Sequence, residues 1–188
     1  MPKIVDANRY RQELLSKCFD LFAERGYANV TTRQIAKELG VSTGTLYHYF
    51  PNKQALFEQL AEQVSLQDVA TIEQVDKSRA ISQRIIDLGQ ILLENQEYVV
   101  KQTAIWLDFR QQCSAQEIKD NLVFQQIDRR YERAISELLD LEDPQTARFI
   151  WSLIDGISIN QIDRQDFATQ IELLTKMLIA YFEKHALV

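Results

Sequence analysis

Chain-breaking residues are scarce in this sequence, and they fall where helices would start or stop. Of 188 residues only three are Pro and five are Gly. Pro2, Pro51 and Pro144 each stand at the head of a run rich in good helix formers. Pro suits the first turn because the amide it lacks would have no partner there. Apolar residues recur at three- and four-residue spacing, and no steady period-two alternation is present. The chain is predicted to be all-α, with nine helices.

Start and stop signals divide it. The first helix is expected over about 5–25, ended by Gly26, and a short one over about 32–39, opened by Thr31 with Gln34 three residues on. Gly40 stops that helix, and Ser42 caps a third over about 43–49. The fourth runs from about 53 into the low seventies, followed by segments near 78–94, 96–113, 116–140, 144–161 and 167–184.

Several function classes lack support. The two cysteines, Cys18 and Cys113, form no metal-spaced motif, so no metal is expected. Only two histidines occur, His48 and His185, and neither joins a nucleophile or paired-carboxylate pattern. No enzyme activity and no cofactor are expected. The polar N-terminus does not read as a signal peptide, and no apolar run is long enough for a membrane span, so a cytoplasmic protein is expected.

Net charge is −6, which by itself disfavours a nucleic-acid partner, but the charge is uneven. Residues 1–63 carry eight Lys/Arg against seven Asp/Glu, whereas 64–188 carry thirteen against twenty. Only the N-terminal part therefore permits a polyanion partner.

Within it, "GVSTGTLYHYFPNK" (40–53) places two short helices on either side of a glycine turn, a helix-turn-helix pattern. Val41, Leu46 and Phe50 supply its apolar side, and Thr43, Gly44, Thr45, Tyr47, His48 and Tyr49 the other, with Ser42 at the cap. Small and hydrogen-bonding side chains suit a helix laid in a major groove about 12 Å wide. Thr31, Thr32 and Lys53 are candidates for phosphate oxygens. Arg33 fits either a guanine reader or a phosphate clamp, and Tyr49 either a DNA contact or core.

The segment 9–57, and in it "LFAERGY", "TTRQIAKELGVS", "GTLYHYF" and "NKQAL", resembles the TetR family of transcriptional regulators. The resemblance implies an all-helical homodimer whose N-terminal three-helix head binds double-stranded operator DNA and whose C-terminal helices bind a small molecule and dimerise. By position it implies DNA contacts at Thr31, Thr32, Arg33, Thr43, Gly44, Thr45, Tyr47, His48, Tyr49 and Lys53. It implies a head over 1–52 and a ligand-binding and dimerisation domain over 53–188. The expected function is a homodimeric repressor released by a small effector, the alternative being a regulator or activator with no such inducer.

Two further sets come from the residues themselves. Tyr98, Trp106, Phe109, Cys113, Phe124, Ile127, Tyr131 and Trp151 are apolar and aromatic enough to line a pocket, and equally fit a packed core. The helices over 144–161 and 167–184 are apolar nearly all round. Such helices are buried all round, within the chain or against a second copy. Ile150, Ile154, Ile157, Leu174, Met177, Leu178 and Tyr181 are the expected two-fold interface.

Overall fold

A computed structural model describes residues 6–161 and 166–185. The helices among them are α1 (Ala7–Arg25), α2 (Thr32–Glu38), α3 (Thr43–Tyr49), α4 (Lys53–Ile72), α5 (Ile81–Glu94), α6 (Gln96–Arg110), α7 (Ala115–Asp120), α8 (Leu122–Leu139), α9 (Pro144–Asn160) and α10 (Phe167–His185). No strand occurs among the described residues. Pro2 and most of the break expected at 163–166 lie outside them.

The all-α expectation holds, with ten helices among the described residues rather than nine. The segment read as one helix over 116–140 is two, α7 and α8, broken at Asn121. Asn121 takes an extended ψ of 115°, and its Oδ1 accepts from the amides of Val123 and Phe124 at 2.9 and 3.3 Å. An Asn side chain that satisfies the open amides of a new helix is a start signal even inside a periodic run. Elsewhere side chains close the helix starts. Thr31 and Gln34 form a reciprocal capping box, and Asp143 accepts from Gln145 and Thr146 ahead of Pro144.

The chain divides into two compact units. Residues 1–64 associate with 105–125, while 65–104 associate with 126–188. The division cuts within α4, α6 and α8, so the unit carrying the helix-turn-helix includes the end of α6 and all of α7.

In the first unit, Leu14, Leu15, Cys18, Leu21 and Phe22 of α1 are buried, as are Ile35, Leu46, Phe50, Phe57 and Phe109. Each such side chain contributes roughly 1.5–3 kcal/mol by leaving water. In the second, Ile85, Leu88, Tyr131, Ile135, Leu138, Leu139, Ile150, Ile154 and Leu174 form one core, with α10 against α5 and α9. Arg84 is buried there. It donates to the Leu138 carbonyl at 2.9 Å and pairs with Asp140 at 2.5 Å, which ties α5 to the end of α8.

Candidate nucleic-acid interface

The helix-turn-helix is built by short-range bonds. Gly40 sits at φ 69°, and the Val41 amide reaches back to the Ala36 carbonyl at 2.9 Å. That left-handed residue turns the chain sharply between α2 and α3, where a Cβ would be strained. Ser42 then caps α3, accepting from the Thr45 amide at 2.9 Å, with the two hydroxyls 2.8 Å apart. Leu46 and Phe50 are buried and fix which side of α3 faces outward.

That outward side carries Thr43, Gly44, Tyr47 and His48, all exposed; Tyr47 is 52% accessible. A Cβ at Gly44 would meet only Ser42 Oγ, at 3.6 Å, so the backbone there lies open. Arg33 is also exposed and Thr32 half-buried. Glu38, the only acidic residue between Thr31 and Lys53, pairs with Arg25 at 2.8 Å. The remaining local charge, from Arg33 and Lys37, is positive.

Other expected contact residues make local hydrogen bonds. The Thr31 hydroxyl is held by Gln34 Oε1 at 2.8 Å, and the hydroxyls of Ser42 and Thr45 engage each other. Tyr49 is half-buried. Its ring lies 5.6 Å from that of Tyr10 and 5.1 Å from His48, with the Arg11 guanidinium 5.8 Å away. Tyr10 and Arg11 of α1 thus border the site, and no local motif in the sequence marked them.

Lys53 bonds to the backbone of the head. Its Nζ donates to the carbonyls of Tyr27 at 2.8 Å and Val30 at 2.9 Å. Burial lowers its pKa below the usual lysine range, while the nearby Asp108 carboxylate opposes that shift. Asp108 Oδ2 in turn accepts from the Ala28 amide at 2.9 Å. The two side chains together hold the turn that leads into α2. Lys53 is a strut of the head rather than a charge displayed on its surface.

The expected pocket residues separate. Trp106, Phe109 and Phe124 belong to the first unit: Phe57 and Phe109 stack at 3.9 Å, and Trp106 meets Phe124 edge-on at 4.7 Å. Cys113, half-buried in the same unit, has its thiol pKa raised by burial and by Glu117 and Glu58, so it is not an activated thiol. Cys18 is fully buried, its pKa pushed up to about 12 by desolvation.

Tyr98, Ile127, Tyr131 and Trp151 belong to the second unit. Tyr131 and Trp151 stack at 3.9 Å. The Tyr131 hydroxyl donates to Asp68 Oδ2 at 2.5 Å, and Gln102 Nε2 donates to the same oxygen at 2.9 Å. The sequence reading passed over Asp68 and Gln102.

The residues expected at the two-fold interface differ in exposure. Ile150, Ile154 and Leu174 lie in the core of their own chain, 1%, 3% and 7% accessible. Ile157 and Leu178 are half-buried against that core. Met177 and Tyr181 are exposed, and so are Phe149, Ile159 and Leu173 on the same two helices. Of the described residues, no helix is long and apolar enough to cross a membrane.

A capped helix-turn-helix with an open, hydrogen-bonding second helix defines a helical protein with a DNA-binding type of head. Residues 14–60 match the family model for bacterial regulatory proteins of the tetR family. The helix-turn-helix head therefore has the sequence pattern of that family's N-terminal region. The HTH-type transcriptional regulator PksA of Bacillus subtilis (strain 168) is 29% identical over 118 residues, which are 58% of this chain and 54% of that protein. The curated relatives it matches are covered over about a third to about half of their length. A TetR-family transcriptional regulator from Rhodococcus sp. has the same fold, with TM-score 0.75 at 18% identity over 90% of this chain and 96% of that one. So does the transcriptional regulator FadR from Bacillus subtilis, solved in complex with stearoyl-CoA, with TM-score 0.68 at 20% identity over 89% and 96%.

Proposed function

We propose that this protein is a homodimeric, sequence-specific transcriptional repressor of the cytoplasm, released from operator DNA by a small-molecule effector. The observation that carries the DNA-binding reading is the exposed face of α3, where Thr43, Gly44, Tyr47 and His48 stand outward on a helix whose other side is buried. A helix so presented fits the major groove with its N-terminal residues toward base edges. Arg33 adds a base-reading or phosphate-clamping cation. Dimerisation is supported by the exposed apolar side chains of α9 and α10, namely Phe149, Ile159, Leu173, Met177 and Tyr181. Release is a population shift: an effector that binds one arrangement of the two heads better than the other disfavours the spacing two half-sites need. The FadR structure, solved with stearoyl-CoA, supports the idea that this fold takes small molecules.

A second reading keeps the DNA binding and drops the effector. It is favoured by the close packing of Phe57, Trp106, Phe109 and Phe124, which have the contacts of a core rather than of a pocket.

The test is selection of binding sites from a pool of random duplexes. The expected product is a pseudopalindrome whose half-sites lie one helical turn, about 34 Å, or a multiple apart. A pool that stays random through repeated rounds would overturn the reading.

A further inference from the structure

Asp68 is a carboxylate set inside the second unit with no lysine or arginine paired to it among the described residues. Desolvation is the largest influence on it and raises its pKa, against the hydrogen bonds of Tyr131, Gln102 and Tyr98. Tyr131 at 2.5 Å and Gln102 at 2.9 Å converge on Oδ2, and Tyr98 is the third hydrogen-bond partner of the carboxylate. A carboxylate has about four lone-pair sites, so acceptor capacity is left over. Arg130, beside Tyr131 in sequence, donates to Ser65 Oγ.

A carboxylate removed from water is costly unless an opposite charge meets it, and neutral donors offset only part of that cost. The surroundings are aromatic. Tyr98 is half-buried beside Asp68, and Tyr131 is stacked on the half-buried Trp151. Ring faces attract cations, most strongly where water is excluded, and tertiary or quaternary ammonium groups are the usual occupants of such settings. Trp151, Tyr98 and Asp68 itself are all half-buried rather than sealed, so the group is reachable.

We infer that Asp68, with Tyr98, Tyr131 and Trp151, is the recognition site for the ammonium end of an organic monocation. This deepens the effector reading above and rests on it. The cation supplies the counter-charge that the fold leaves out, and the rings supply its apolar sleeve. Gln102 and the tyrosine hydroxyls position the carboxylate.

The experiment uses the full chain with Trp106 replaced by Phe, so that emission reports Trp151. Choline and benzyltrimethylammonium are titrated, with 3,3-dimethylbutan-1-ol as the uncharged counterpart of choline. At least one cation is expected to change the emission and raise the melting temperature, and the alcohol to do neither. Asp68→Asn keeps the shape and an acceptor oxygen; it is expected to weaken cation binding by roughly tenfold or more. Tyr98→Phe serves as the second variant should Asp68→Asn fold poorly, and is expected to weaken binding less. No response to either cation, equal response to the alcohol, or cation binding indifferent to both substitutions overturns the assignment. Operator binding is followed in the same samples. A cation that binds without releasing DNA leaves the site standing and removes the release mechanism, whereas DNA binding without any cation response does the reverse.

Discussion

The Lys53 ammonium lies 2.8 Å from the carbonyl of Tyr27 and 4.1 Å from the centre of the same residue's ring. One side chain at the start of α4 thereby holds the turn that sets the entry angle of α2. The tyrosine is itself fixed edge-on by Phe22, Phe57 and Phe109, at 5.4, 5.1 and 5.1 Å. Through these bonds Lys53 supports the shape of the head.

Lys53→Met is therefore expected to destabilise the protein by about 1 kcal/mol, the usual net value of a partly exposed charged hydrogen bond. It lowers operator affinity while leaving the salt dependence unchanged. Arg33→Ala is expected to do the opposite: no loss of stability, and a salt slope shallower by about one per head if Arg33 clamps phosphate. Binding titrations at several salt concentrations, with urea denaturation alongside, check both. A shallower slope for Lys53→Met would return that lysine to the phosphate-contacting set.

The contrast between these two cations shows where sequence reading reaches its limit. Caps, glycine turns and the Pro144 start are local, decided by residues three or four apart, and they were legible. The bend at Asn121 was missed because the apolar spacing continues across it while a single side chain takes over the amides. The inward reach of Lys53 depends on carbonyls 26 and 23 residues away, and the cage around Asp68 on partners at least 30 residues away in sequence. Periodicity carries no trace of either. On α9 and α10 the pattern is apolar all round, so it could not separate Ile150 and Leu174, which face the core, from Leu173 and Met177, which do not.

Asp68 has a titration consequence with a definite sign. Its native pKa is raised, chiefly by desolvation, so folding favours the protonated form. Its contribution to stability is fully present below the ordinary carboxylate range and is lost as pH rises through the raised native value. Asp68→Asn, which cannot ionise, is expected to be at least as stable as the parent at neutral pH. The difference in unfolding free energy should shift steadily in the parent's favour as pH falls through that window. Paired denaturation curves at neutral and mildly acid pH test this. A difference independent of pH would show that Asp68 titrates as an ordinary carboxylate.

The exposed apolar residues of α10 give a test of assembly. Leu173 and Met177 are 52% and 60% accessible in the isolated chain, so a charge at either place disturbs nothing within the protomer. Between two copies, the same charge would be buried without a partner, at a cost of several kcal/mol. The double substitution Leu173→Glu, Met177→Glu is expected to convert a dimer to a monomer in sedimentation experiments, with helical content unchanged. Operator affinity should fall with it, since one head binds a single half-site. A dimer that persists would place the interface elsewhere.

Gly40 and Gly44 stand four residues apart and are expected to fail in different ways. Gly40 has φ 69° and open space around it, so Gly40→Ala meets no atom but forces an L-residue into the left-handed region. The cost is about 1–2 kcal/mol of stability, read as a lower melting temperature. Gly44 is helical, and a methyl there touches only Ser42 Oγ at 3.6 Å. Gly44→Ala should leave stability unchanged or raise it by up to about 1 kcal/mol, as alanine favours helix over glycine. If α3 enters the groove by this end, that same methyl stands between backbone and DNA, and operator affinity falls on the order of tenfold, equivalent to about 1.4 kcal/mol. A Gly44→Ala protein that melts higher and binds DNA more weakly would separate the recognition surface from the fold that carries it. Unchanged affinity would mean that α3 approaches DNA through Tyr47 and His48 instead.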